Sequence, residues 1–220
     1  MAGLDCYGVE LDPIAHYLGS LVGSGKTQLG NVLEYDYSAF PAVWASPPCQ
    51  THSRARTQGD PVGPYATDLL PWALSLPNPC LWVENVDNGD KWGTLYNATQ
   101  FAEPPLQCRN RRIGGRYPEP ATFRPYSRYI PGVCPAITAT EYKGCATDTR
   151  RASRFFGRKA TLAECATAQG FTIPPIWYKV PPGFTQRTWH ERLYRAIGNG
   201  VPVYMAYAFG KALIDAIERP

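Results

Sequence analysis

Short apolar runs, each closed by a polar or proline-rich turn and separated by stretches with helical spacing, constrain this chain more than any other feature. "DCYGVELD" (Asp5 to Asp12) is a short strand ending in acidic residues, and the "PIAHYLGSLV" that follows has helical spacing opened by a proline. "NVLEYDYSAF" and "AVWAS" repeat the pattern of short apolar runs closed by polar turns, "TDLLPWALSL" has helical spacing, and "CLWVENV" is another strand ending in polar residues. Strands and helices that alternate in this way predict an α/β sheet whose functional residues collect at the carboxyl ends of its strands. Further on, "TLAECATAQGF" predicts a helix stopped at Gly170, and "VPVYMAYAFGKALIDAIER" predicts a closing helix entered after "IGNG". The stretch from Tyr117 to Gly157 is rich in Pro, Arg, Tyr and Thr with weak periodicity, and predicts irregular structure or a small insertion.

A chain of 220 residues accommodates one domain with a modest insertion. Hydrophobic content of 44% against 18% charged residues is that of a globular protein, and no apolar run has the length of a bilayer span. The beginning, "MAGLDCYGVELDP", has no basic leader or long apolar segment, so export is not expected. Seven cysteines lie scattered without CxxC spacing, which argues against a disulfide framework and a zinc cluster and for a reduced cytoplasm. The net charge of +4 is mild, but the arginines cluster: Arg54 and Arg56; Arg109, Arg111, Arg112 and Arg116; and Arg150, Arg151, Arg154, Arg158 and Lys159. Such clusters neutralise phosphates or form a solvated basic surface. "GSLVGSGKT" resembles a phosphate loop, but the glycine it requires falls on Ser20, and it follows a helical segment where a strand is needed, so a glycine turn is expected. His16, His52 and His190 are isolated and are assigned to no metal, and the tryptophans Trp72, Trp82, Trp92, Trp177 and Trp189 are assigned to packing.

The stretch "VWASPPCQTHSRART" stands apart. An apolar strand stops at Pro47 and Pro48, which restrict the backbone to extended or turn geometry, and Cys49 follows at once with cations beyond it. A thiol aimed off a sheet edge among positive charges is favoured as thiolate. "VENV" places Glu84 at the end of the next strand, where pairing of adjacent strands brings it to the same edge. In "QCRNRR", Gln107, Arg109 and Arg111 alternate and share one face of an extended segment.

In this order the three elements resemble the DNA cytosine-5 methyltransferase family. Its Pro-Cys-Gln nucleophile motif is matched by Pro48, Cys49 and Gln50, with Ser53 beyond; its Glu-Asn-Val by Glu84, Asn85 and Val86; its Gln-x-Arg-x-Arg by Gln107, Arg109 and Arg111. "RKATLAECATAQGF" is similar to the family's later signature with one residue inserted before Thr161, and "IGNGVPV", with Asn199 and Val201, to its terminal Gly-Asn-x-Val motif. Glu10 resembles the acidic residue that holds the ribose of S-adenosylmethionine, and Asp36 the one near its adenine.

The resemblance implies a Rossmann-like methyltransferase sheet and a reaction on cytosine in DNA. The Cys49 thiolate adds to C6 of a flipped-out base, Glu84 acts at N3, Arg111 holds the O2 side and Arg109 helps to order the loop. It implies S-adenosylmethionine as cofactor, bound through Glu10, Asp36, Pro48, Asn199 and Val201, and DNA held by Gln50, Ser53, Arg54, Arg56, Gln107, Arg151 and Arg158. It divides the chain into a catalytic α/β region (1–112), a small target-recognition insertion (113–157) and a return to the catalytic region with the closing helix (158–220). The family's opening strand and glycine-rich turn, Asp-x-Phe-x-Gly-x-Gly, has no counterpart, so the sheet is expected to be incomplete at its central first strand. Three expectations remain open: a partner polypeptide or oligomer supplies the missing strand; a different donor is attached to C5; or the chain is a non-catalytic DNA-binding or regulatory subunit. RNA and free nucleotide also stay open as substrates.

Overall fold

The computed structural model describes residues 3–22, 26–49, 67–87, 89, 91–144 and 155–218. Strand β1 (Gly8–Glu10), helix α1 (Pro13–Val22) and strand β2 (Thr27–Leu29) form one β-α-β unit with parallel strands. Asp12 starts α1: its Oδ1 accepts from the amides of Ile14 (2.8 Å) and Ala15 (3.1 Å), while Pro13 lacks the donor that would otherwise need a partner. A second sheet runs in the order β3-β4-β7-β5, from β3 (Ala42–Ala45), β4 (Cys80–Val86), β5 (Thr94–Asn97) and β7 (Asn110–Arg116). β3 is parallel to β4, and β7 is antiparallel to both β4 and β5. A two-residue strand β6 (Gln107–Cys108) pairs in parallel with β8 (Cys134–Pro135).

β4 is the centre of the molecule. Leu81 and Val83 face the cluster built on helix α2 (Leu70–Ser75), while Cys80 and Trp82 face the cluster completed by Met205, Phe209 and Leu213 of the closing helix. A strand covered on both sides reads as a continuous apolar run, which "CLWV" is. Phe209 anchors the second layer, with the rings of Trp44, Tyr96, Phe101 and Tyr117 around it at centroid distances of 5.3–5.7 Å. A third cluster joins α1 to helices α3 (Leu162–Ala168) and α4 (Gln186–Asn199) through Leu18, Ile137, Leu162, Trp189, Leu193 and Ile197. The closing helix α5 spans Val203–Glu218. Gly170 ends α3 at φ +89°, a conformation only glycine adopts without strain, and the amide of Phe171 turns back to the carbonyl of Ala166 (3.1 Å).

Three expectations are corrected. "NVLEYDYSAF" holds no strand but a single 3-10 turn, Val32–Glu34, because Asn31 Oδ1 caps the amide of Leu33 at 3.1 Å and the exposed Leu33 has no sheet face to pack on. The boundary at residue 112 falls inside β7, which belongs to the sheet on both sides of it. The closing helix, expected from Val201, starts at Val203, because Gly200 caps the preceding helix α4, which runs to Asn199. The glycine-turn reading of "GSLVGSGKT" involves residues 23–25, outside the described residues, but Gly19 and Ser20 lie in α1, which excludes a strand before the loop.

β1 and β3 each end a separate sheet: no ladder joins them among the described residues. β1 and β2 hold no fully buried residue, whereas β4 holds six in succession, from Cys80 to Asn85.

At the start of α3, Thr161 and Glu164 cap each other's amides, and Arg158 grips Glu164 with two bonds of 2.6 and 2.8 Å. Arg158 and the cap together hold the Glu164 carboxyl down to about 2. A carboxyl depressed in the folded state contributes stability above its unfolded value of about 4.3, and that stability is lost as pH falls towards 2. Glu164→Gln is therefore expected to lower the melting temperature at pH 6 and to close the gap to wild type as pH is taken towards 2, as followed by circular dichroism.

Candidate functional site

The carboxyl ends of β3, β4 and β5 and the amino end of β7 form one edge of the four-stranded sheet, as their pairing requires. Cys49 stands four residues beyond Ala45, the last residue of β3, and Asn85 Nδ2 donates to the Pro47 carbonyl at 3.3 Å, tying the prolines to β4. The two prolines and this bond hold the thiol beside β4.

Glu84 and Arg111 are both buried and form an ion pair through Oε1 and Nε. The Nε–H lacks hydrogen-bond alignment to any acceptor, so the contact is one of charge. Arg111 donates from Nη1 to the Asn110 carbonyl at 2.9 Å. Cys49 is half-buried and lies within the fields of Arg111, Glu84 and Arg109. Burial pushes its thiol above the ordinary value; Arg111 pulls it down, Glu84 pushes it up, and burial dominates. Among the described groups desolvation outweighs the guanidinium, against the expectation that cations around Cys49 favour the thiolate. Arg54 and Arg56, which were to supply those cations, lie outside the described residues, as do Gln50, Ser53 and Arg151.

Gln107 and Arg109 serve a different purpose from the one expected. Gln107 is fully buried and makes no surface for DNA: its Nε2 donates to the Ala168 carbonyl (2.9 Å) and to Gln169 Oε1 (2.8 Å), and its Oε1 accepts from the Ile137 amide (3.2 Å). Arg109 is buried without a carboxylate, and its guanidinium donates to the carbonyls of Ile137, Gly198 (2.7 Å) and Gly200 (3.1 Å). Burial lowers its pKa well below the usual arginine value, with Arg111 adding to the effect. It touches only backbone, and so positions the turn that carries Asn199. Gly198 packs so tightly there that a Cβ would lie 2.2 Å from the backbone of Thr138. The cluster Arg109, Arg111, Arg112 and Arg116 is not a phosphate surface: Arg112 sits by Asp87, and Arg116 donates to the carbonyls of Leu76 and Asn78. Arg158, also expected at DNA, spends its charge on Glu164.

Sequence reasoning overlooked Gln169, which is buried and donates to the Ile197 carbonyl at 2.6 Å, and Asp87, which receives Arg112 and Arg128. The glutamine stood in plain view in "AQGF"; Asp87 carried no signal beyond its place after a strand.

The expected cofactor residues only half form a site. Glu10 stands at the carboxyl end of β1, its Oε1 accepting from the Asp12 amide at 2.8 Å; Asp36 is exposed, its carboxyl lowered by Ser38. Asn199 is exposed at the end of α4, and Pro48 and Val201 are half-buried. Acidic groups are thus present for the nucleoside half of S-adenosylmethionine. No glycine-rich turn cradles its amino-acid half, because β1 and β3, the strands that would flank one, end separate sheets. The described residues do not fit the whole cofactor. They also contain no group of three or more His, Cys, Asp or Glu side chains able to hold a metal ion, and no helix long and apolar enough to cross a membrane.

The sequence matches no family model and no curated protein. The fold has counterparts among solved structures. The Dnmt2 methyltransferase of S. pombe superposes with a TM-score of 0.59 at 15% identity, over 97% of this chain and 92% of the other. The methyltransferase EhMeth of Entamoeba histolytica gives 0.58 at 14%, over 96% and 90%. A mutant DNMT2 of Spodoptera frugiperda gives 0.55 at 14%, over 97% and 94%.

The balance of charges at Cys49 is open to measurement. Alkylation of Cys49 by iodoacetamide, followed by peptide-resolved mass spectrometry across pH, is expected to have its midpoint above that of a free cysteine. Glu84→Gln removes a charge that raises the thiol and is expected to move the midpoint to lower pH.

The chain has the Rossmann-like α/β fold of these methyltransferases, the fold that its sequence motifs imply.

Proposed function

We propose that this protein modifies C5 of cytosine in DNA through a covalent bond between Cys49 and C6 of a flipped-out base. The observation that carries the reading is the meeting of Cys49, Glu84 and Arg111 from three separate segments at one sheet edge. Cytosine C5 is a weak nucleophile until a group adds at C6. As Cys49 Sγ bonds to C6, the C5–C6 π pair shifts to C4–C5 and the C4–N3 pair to N3, which gains a proton as the sulfur loses one. Glu84 holds the N3 proton, and Arg111 faces the charge that builds on O2. The net transfer is neutral, which suits a buried thiol. The base must leave the stack, since C6 is out of reach within a duplex.

S-adenosylmethionine as the donor, and a second polypeptide that completes its cradle, belong to the same proposal. The separation of β1 from β3 supports the partner, and the acidic pair Glu10 and Asp36 supports a nucleoside-bearing donor. A different donor, or a non-catalytic DNA-binding role, is the alternative.

Addition at C6 can be observed without any donor, because reversal after protonation at C5 exchanges the cytosine H5 for solvent deuterium. Wild type is expected to catalyse H5 exchange in cytosine-containing DNA in D2O. Cys49→Ser is expected to abolish it, and Glu84→Gln to slow it by about 10²- to 10⁴-fold. The covalent reading fails if wild type gives neither exchange nor an adduct with 5-fluorocytosine DNA in the presence of S-adenosylmethionine. Retention of both by Cys49→Ser defeats it equally.

A further inference from the structure

The sheet edge that carries Cys49, Glu84 and Arg111 does not stop at β7. Asn97 and Asn110 are paired neighbours on β5 and β7, and Asn97 Nδ2 bridges Asn110 Oδ1 (2.7 Å) to the Arg128 carbonyl (3.3 Å). Arg128 reaches Asp87, one residue beyond β4, at 3.1 Å, and Tyr126 Oη meets Asn110 Oδ1 at 3.5 Å. The segment 123–130 is thus pinned along the same edge, about three strand spacings or ~14 Å from β3.

This segment shows solvent an unusual surface. Phe123, Tyr126 and Tyr129 are exposed, Tyr129 by 64%. Arg128 lies between the two tyrosines in sequence, and its side chain is 65% exposed. Two arginines, Arg112 and Arg128, share the single carboxylate of Asp87, which leaves a surplus positive charge there. Large exposed rings thus stand beside a guanidinium that Asp87 holds on one side and that is otherwise open to solvent. They match a ligand that offers flat π faces joined by anionic links. A duplex hides its base faces, so this chemistry fits an unpaired strand.

We propose that Tyr126, Arg128 and Tyr129 form a ledge that stacks the unpaired nucleotides flanking the target cytosine, so that the preferred substrate is a single-stranded or locally opened nucleic acid. The ledge deepens the proposed function by naming the state of its polymer, and its binding does not depend on the thiol chemistry. The rings hold the neighbours of the target base, and Arg128 faces their phosphates.

Fluorescence anisotropy tests this on the full chain, using a labelled single-stranded DNA 12-mer with one central cytosine, the same strand abasic on both sides of the cytosine, its RNA equivalent, and the blunt duplex. Wild type is expected to bind the intact single strand tighter than the duplex. The double variant Y126A/Y129A is expected to weaken binding of the intact strand by about 10- to 100-fold and to change binding of the abasic strand by less than about 2-fold. Y126F/Y129F, which keeps the rings, is expected to bind as wild type does and controls for folding. Arg128→Gln is expected to lower the slope of log affinity against log salt by about one. Equal losses on intact and abasic strands, or no loss for Y126A/Y129A, overturn the ledge. A preference for the duplex overturns it as well. The RNA strand separates the two sugar types without altering the outcome for the rings. Failure of H5 exchange with the tyrosine effect intact would sink the chemistry alone, while exchange with no tyrosine effect would sink the ledge alone.

Discussion

A carboxylate in a strand buried on both faces must have a cation beside it, and the pairing of β4 with β7 supplies one. Glu84 lies opposite Ile113 and Val86 opposite Arg111, so the antiparallel register carries the guanidinium back to the carboxylate. A buried ion pair contributes little to stability compared with apolar residues of the same volume, and loss of either partner is costly. What the pair provides is location: a fixed donor and acceptor at the edge where Cys49 arrives. The pair also acts on the sulfur in opposite senses, Arg111 lowering the thiol's pKa and Glu84 raising it, with burial the largest influence. A neutral thiol is no handicap for an addition in which the proton leaves sulfur and N3 takes one up, because no isolated anion has to form in the low-dielectric site.

The legible parts of the sequence were those whose signal was local. α1 shows its proline and Asp12, α3 its reciprocal Thr161–Glu164 cap, and β4 its unbroken apolar run. β7 was harder. "NRRIGGR" has the look of a charged surface, and its arginines looked like phosphate ligands; in the fold each is directed to backbone carbonyls or a carboxylate. That use of arginine depends on strands from elsewhere in the chain, and no window of sequence around residue 112 contains it. Of the site, the trio Cys49, Glu84 and Arg111 was legible through the motifs. The inward role of Gln107 and Arg109 was not, since alternation along an extended segment predicts a shared face, and the chain passes from β6 to β7 between Gln107 and Arg111.

The two sheets differ in how firmly they are held. β4 is buried along nearly its whole length and bonded on both sides, while β1 and β2 pair only with each other and leave Tyr7, Leu11 and Leu29 in solvent. Local stability follows buried contact, so the β1-α1-β2 unit opens more readily than the four-stranded sheet. Among the described residues β3 and β1 each have one edge with no ladder partner, and such an edge can accept another strand.

This asymmetry divides the chemistry at the same place. Every group proposed to act on the base (Cys49, Glu84, Arg111, and the ledge beyond them) sits on the four-stranded sheet or on a segment pinned to it. Glu10 and Asp36, the groups for a nucleoside-bearing donor, sit on or beside the lightly held pair. Addition to C6 requires sub-ångström placement of three side chains, and the fold gives it a sheet with two packed faces. Transfer requires the donor's carbon to be brought to that fixed point, and the β1-α1-β2 unit lacks the backbone cradle to do so unaided. The addition and transfer halves of the proposed reaction therefore draw on different parts of the fold, the first on the packed sheet and the second on the lightly held β1-α1-β2 unit.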